Sequence, residues 1–150
     1  MELIGQGGEC HVWKTDDGSI FKEYQTKIDA KDAQNWQMEL SYYNLAPDVY
    51  SRVTRIKTPD GLSGWGYYTE EAETFTEEEI ELDCDNITNP EIEEERLDVD
   101  YRLLMFTGFE YTDFHLGNYG YVERDGKKVM VIIDTTNRSF CDGVEPEAIV

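Results

Sequence analysis

The sequence predicts an α+β protein: a five-stranded antiparallel sheet with one helix, followed by a smaller helical part that carries a hairpin. Three observations predict it. Short β-rich segments separated by turn signals fill the N-terminal part. A single long stretch, Asp29 to Leu45, shows helical apolar spacing. Three Asp-Gly pairs, at 17–18, 60–61 and 125–126, stand between proposed hairpin strands.

The elements follow in order. Leu3 to Lys14 and Ser19 to Tyr24 read as antiparallel hairpins around Asp16-Asp17-Gly18, and the glycines at 5 and 7 let the first turn approach a ligand closely. In the helix, Ala33, Trp36, Leu40 and Tyr43 recur at 3–4–3 spacing, and Pro47-Asp48 ends it. Glu39 borders that stripe. Strands Val49 to Thr58 and Leu62 to Thr69 are joined at Pro59-Asp60-Gly61. From Glu70 to Asp100 the only basic residue is Arg96. Within this acidic block, Thr76-x-x-Glu79 is a capping-box start. Asn89-Pro90 begins a second helix that Gly108 stops, with Leu97, Tyr101 and Leu104 as its expected buried stripe and Leu103 beside it. Tyr119 to Glu123 and Lys128 to Ile133 then form a hairpin around Arg124-Asp125-Gly126-Lys127.

Composition narrows the function classes. A net charge of −20 argues against a broad basic face for nucleic acid or anionic membrane. Cys10, Cys84 and Cys141 are scattered and odd in number, which fits a reducing compartment without a disulfide framework. With no signal-like start and no apolar run long enough for a bilayer, the expected location is the cytoplasm. The carboxylates of the acidic block read as a solvated face, or as a docking surface for a basic protein.

The chemistry is concentrated between Tyr111 and Asp134. Asp113 and Asn118 sit five residues apart on a loop, and the apolar strand Val129-Met130-Val131-Ile132-Ile133 delivers Asp134 at its end. Phosphoryl transfer uses such a set: one carboxylate orients the acceptor, while an amide oxygen and a second carboxylate hold Mg²⁺ against a triphosphate. Asp113-Phe114-His115-Leu116-Gly117-Asn118 resembles the catalytic loop of the protein-kinase-like superfamily, in the form used by its aminoglycoside and choline phosphotransferases.

That resemblance implies a two-lobed fold binding ATP and Mg²⁺, with an N-terminal lobe over 1–69, a hinge at 70–74 and a minimal C-terminal lobe over 75–150. Gly5 and Gly7 match its glycine-rich loop, with Cys10 where a third glycine is usual, and Val12 matches the valine that covers adenine. Lys22 matches the strand lysine on the phosphates, and Glu39 the helix glutamate that pairs with it. Asp113 would be the base; Asn118 and Asp134 would hold the metal. His115 is expected to brace the loop rather than do chemistry, and His11 has no assigned partner. The sequence departs from the family where Thr135-Thr136 follows Asp134 in place of Phe-Gly, and where only residues 135–150 remain for what is usually several helices. A minimal phosphotransferase is the leading expectation. A nucleotide-binding pseudokinase that regulates a partner and an ATP-independent acidic interaction protein are the alternatives. With the later helices missing, Tyr119, Tyr121, Phe109 and Phe140 are expected to be exposed, and a homodimer or a standing basic partner to cover them.

Overall fold

The computed structural model describes residues 1–6, 9–61 and 63–143. It is a mixed α+β structure with a five-stranded antiparallel sheet and three α-helices. Two compact units divide it. Unit 1 is Met1–Ala72 with Thr135–Asn137, and unit 2 is Glu73–Asp134 with the chain from Arg138 onward.

Unit 1 holds strands β1 (Glu2–Gln6), β2 (Cys10–Lys14), β3 (Ile20–Tyr24), β4 (Thr54–Lys57) and β5 (Ser63–Thr69), with helix α1 (Lys27–Tyr42) between β3 and β4. The sheet order is β1-β2-β3-β5-β4. Strands β1, β2 and β3 pair in sequence order; the chain then runs through α1 to the edge strand β4, and β5 returns between β4 and β3. Helix α1 starts two residues before Asp29 because Thr26 caps it, accepting from the Asp29 N–H at 3.1 Å. The fourth strand is shorter than Val49 to Thr58, although Val49 makes an isolated bridge to Thr69.

Alternation along β3 gives the sheet two distinct faces. Tyr24 points to α1, where it packs with Ala30, Ala33 and Tyr67, and Cys10, Val49, Val53 and Trp65 border this cluster. Trp13 and Phe21, also buried, are register partners and lie on the other face. Glycine is required on that face at Gly66, where a Cβ would stand 1.9 Å from the Lys22 carbonyl oxygen and 2.8 Å from Phe21 Cζ.

Unit 2 begins with β6 (Glu73–Thr74), a short strand inside the segment expected as a hinge, followed by α2 (Glu77–Cys84) and α3 (Pro90–Thr107). Thr76 and Glu79 form the reciprocal capping box. Asn89 caps α3 by accepting from Glu91 N–H at 2.8 Å, and Gly108 ends it in the left-handed region at φ 78°. Strand β7 (Phe109–Tyr111) leads to the loop, then β8 (Tyr119–Arg124), β9 (Lys127–Ile132) and β10 (Phe140–Asp142). Asp125 and Gly126 both have positive φ, 53° and 78°, the geometry of a two-residue hairpin turn. The strands pair as β6-β8-β9 and, separately, β10-β7.

Two expectations for unit 2 are corrected. Helix α3 buries Arg96, Val99 and Leu103, while Leu97 and Tyr101 are 59% and 61% exposed. The inward face is turned by about one residue because it includes an arginine that the apolar pattern leaves out. Tyr119 and Phe140 are also buried, not exposed, and Phe109 and Tyr121 are half-buried. The pairing of β10 with β7 accounts for this: Phe140 sits opposite Tyr111, and Tyr111 makes edge-on ring contacts with both Phe140 and Tyr119, at 5.3 and 5.7 Å. The exposed apolar residues of this unit include instead Leu97, Tyr101 and Met105, which recur every four residues on α3, with Ile87 and Phe114 on loops. Among the described residues, no helix is long and apolar enough to cross a membrane, and all three cysteines are free.

Candidate functional site

In unit 2 the loop between β7 and β8 is fixed from several sides. At its root, Thr112 N–H donates to the Ser139 carbonyl at 2.8 Å, continuing the β10-β7 pairing. His115 Nδ1 accepts from the Gly117 N–H at 3.1 Å, so it braces the loop as expected. Gly117 leaves room for this ring, since a Cβ there would lie 2.8 Å from Nδ1. Asn118 Nδ2 donates to the Asp113 carbonyl at 3.2 Å, which ties the two ends of the motif together and leaves the Asn118 Oδ1 as its acceptor atom.

Hairpin register then brings the end of β9 alongside Asn118. Tyr119 is opposite Ile132, and the next bond outward runs from Ile133 N–H to the Asn118 carbonyl at 2.8 Å. Asp134 therefore follows directly on the residue bonded to Asn118. Tyr111 OH donates to the Asp134 carbonyl at 2.8 Å and holds that end of the strand. Burial raises the pKa of the Tyr111 hydroxyl, and the negative charges of Asp134 and Asp113 add to the effect. Asp113 is exposed, and Asn118 and Asp134 are half-buried. The Asn118 amide oxygen and the Asp134 carboxylate are hard oxygen donors, too few to encage Mg²⁺ but of the kind it takes when one or two protein ligands bind it and phosphate and water complete its shell. The donor set fits.

Helix α3 supports the loop from beneath through Arg96. Its Nη1 donates to the Phe114 carbonyl at 3.0 Å and to Asp83 at 3.1 Å, its Nη2 to Asp83 at 3.1 Å, and Glu93 completes the set. For Asp83, burial opposes the charge, but hydrogen bonds from Arg96 and Thr88 outweigh it and hold the carboxyl below its usual pKa. One turn on, Asp100 Oδ1 accepts from Tyr119 OH at 2.8 Å, yet burial pushes this carboxyl up to about 6.

That shift has a sign. A carboxyl whose folded pKa lies above its usual 3.8 favours the fold when neutral, so its contribution is complete below about pH 4 and is lost as pH rises through about 6. Asp100→Asn keeps an acceptor for Tyr119 and removes the charge. We expect the variant to match wild type at pH 4 and to exceed it by about 1–2 kcal/mol at pH 7, after discounting for partial exposure. Urea titrations at the two pH values measure this, and an equal difference at both would refute it.

In unit 1 the glycine-loop and lysine positions lie in one cross-strand row. Gly5 is opposite Val12, Val12 opposite Lys22, and Lys22 opposite Tyr67, with a bulge between Leu3 and Gly5. Gly7 lies outside the described residues. Lys22 is buried, but the expected pairing with Glu39 is not formed: Glu39 is exposed, and Lys22 Nζ donates to Gln37 Oε1 at 3.1 Å. Helix geometry decides between them. Gln37 continues the buried line of Ala30, Ala33 and Leu40, and a residue two positions on is turned about 200° away. Gln37 is a hub. Its Oε1 also accepts from Tyr67 OH at 2.8 Å, and its Nε2 donates to the Pro47 carbonyl and Thr69 Oγ1 at 2.9 and 2.5 Å.

Three residues of these sites escaped the sequence reading. Gln37 was visible as a polar residue at apolar spacing, and Arg96 as a lone base among carboxylates. Tyr111 carried no signal beyond its place before the loop. Comparison with known proteins does not add to this geometry: no family model matches the sequence, and no curated protein matches it.

Proposed function

We propose that the protein is a kinase-like phosphotransferase that uses ATP and Mg²⁺. The observation that carries this reading is the hairpin register in unit 2, which sets Asn118 beside Ile133-Asp134 while Asn118 holds the Asp113 backbone. Asp113, Asn118 and Asp134 thereby fall within one small, braced loop-and-strand end, each in the order the phosphotransfer set requires. Asp113 receives or orients the acceptor hydroxyl. Asn118 Oδ1 and the Asp134 carboxylate hold Mg²⁺, which when bound neutralises charge on the triphosphate.

Gln37 favours keeping a second reading, a nucleotide-binding regulator without turnover. At the place where the resemblance implies the Glu39 carboxylate, the amide of Gln37 accepts from Lys22 instead. Both readings require Mg·ATP binding. Calorimetry with ATP in the presence and absence of Mg²⁺ tests that common ground. Asp134→Asn is expected to weaken Mg·ATP at least about tenfold and to leave Mg-free ATP binding unchanged, because it removes one anionic metal ligand. Absence of ATP binding by the wild type would sink both readings.

A further inference from the structure

The sheet face of unit 1 turned away from α1 carries a second set of donors that the nucleotide reading does not use. His11 and Glu23 are direct cross-strand partners on β2 and β3. His11 Nδ1 stands 3.3 Å from Glu23 Oε1. Asp60, on the turn between β4 and β5, brings a carboxylate oxygen in, so that one atom from each residue lies within 4.8 Å of the other two.

Glu23 is the unusual member. Its side chain is only 9% exposed. Its hydrogen-bond and ion-pair partners among the described residues are Trp13 Nε1, at 3.2 Å, and His11. Neither a lysine nor an arginine is among them, and a buried carboxylate with so little compensation is costly. The fold makes room for it even so. Gly64 on β5 lies directly under the carboxylate, and a Cβ there would fall 1.9 Å from Oε2. A strand that gives up a side chain to seat an acid beside an imidazole calls for a cationic third party.

We propose that His11 Nδ1, Glu23 and Asp60 form a binding site for a divalent transition metal of the zinc type, independent of the phosphotransfer reading. Donor chemistry selects the metal: an imidazole nitrogen with two carboxylates suits Zn²⁺ or Co²⁺, whereas Mg²⁺ and Ca²⁺ take oxygen ligands. Distance agrees. Two ligands of a tetrahedral ion with bonds of about 2.0–2.1 Å stand roughly 3.3–3.4 Å apart, which is the His11–Glu23 separation. Trp13 Nε1 then acts as the outer donor that orients the Glu23 carboxylate. Three protein ligands leave the fourth position to water, and the ion pins the β4–β5 turn to strands β2 and β3.

Titration of the nucleotide-free full chain with Co²⁺, in a large excess of Mg²⁺ to saturate the acidic surface, tests this. We expect one Co²⁺ per chain, with the visible absorption bands of a four-coordinate nitrogen–oxygen site. His11→Gln is expected to abolish those bands. Asp60→Asn, an exposed turn position where Asn can still accept from Thr58 Oγ1, should weaken binding at least about tenfold, since even outer partners of a metal site are worth about 10–100-fold. Circular dichroism confirms that both variants fold. Failure of the wild type to retain Co²⁺ against Mg²⁺ would overturn the site. So would equal retention by both variants, which places the ion on other groups, or loss in His11→Gln alone, which removes Asp60 from the ligand set.

Discussion

Asp113→Asn is expected to leave Mg·ATP affinity within about twofold of wild type and to lower phosphoryl transfer or ATP hydrolysis by about 10²–10⁴, the usual worth of a positioned general base. The asymmetry follows from what each atom of the residue does. Its carbonyl, not its carboxylate, accepts from Asn118 Nδ2, so the substitution leaves the loop's internal bond in place. The carboxylate is exposed and lies outside the pair of oxygen donors assigned to the metal. Its removal should therefore be felt at the acceptor alone. Steady-state hydrolysis and calorimetry on the same preparations measure the two effects. Equal turnover in wild type and Asp113→Asn, with ATP still bound, would replace the enzyme by the nucleotide-binding regulator.

Gln37→Leu is expected to destabilise unit 1 by about 3 kcal/mol. The two side chains are close in volume, so packing around Ala33 and Leu40 changes little. What is lost is four hydrogen bonds at a fully buried position. The Pro47 carbonyl and the Lys22 ammonium each lose a partner in an interior where water cannot readily replace it. For a chain of this size that corresponds to a fall in Tm of roughly 6–12 °C. Gln37→Glu supplies a control. It keeps an oxygen for Lys22 and Tyr67 but has no N–H for Pro47 and Thr69, so its loss should be smaller. A Gln37→Leu protein within about 0.5 kcal/mol of wild type in chemical denaturation would show that the hub is not a source of stability.

Local signals in the sequence located most of the frame. Thr76 with Glu79, Asn89 with Pro90, and Gly108 mark helix ends through hydrogen bonds made within a few residues, and all of them form. The Asp125-Gly126 turn fixes the register of β8 against β9, and with it the meeting of Asn118 with Ile133-Asp134. What stayed hidden depends on partners far along the chain. The family resemblance implies Glu39 for Lys22, but the helix phase that buries Ala30, Ala33 and Leu40 presents an amide instead. The face of α3 was misjudged because Arg96 is drawn inward by Asp83 and the Phe114 carbonyl, and hydrophobic periodicity cannot register this. Three-residue strands such as β10 are too short to show a period at all. His11 had no visible partner because cross-strand register, not sequence spacing, sets it against Glu23.

Unit 1 is not a continuous stretch of chain, and this bears on how such a protein can be cut or recombined. Its last piece, Thr135–Asn137, arrives after the whole of Glu73–Asp134 has been laid down. Thr135 is fully buried, with its hydroxyl donating to the Ala33 carbonyl at 2.9 Å, and Trp36 Nε1 donates to Asn137 Oδ1 at 2.8 Å. A gene fragment ending at Ala72 would encode a sheet and helix lacking an interior residue more than sixty positions downstream. Exchange between genes at that boundary would thus transplant an incomplete body, however natural the seam looks in sequence. Asp134 is the residue immediately before this returning piece, so the proposed metal ligand is covalently joined to the segment that completes the first unit's interior. Heritable variation in the two units is expected to be tied together at this junction and freer elsewhere.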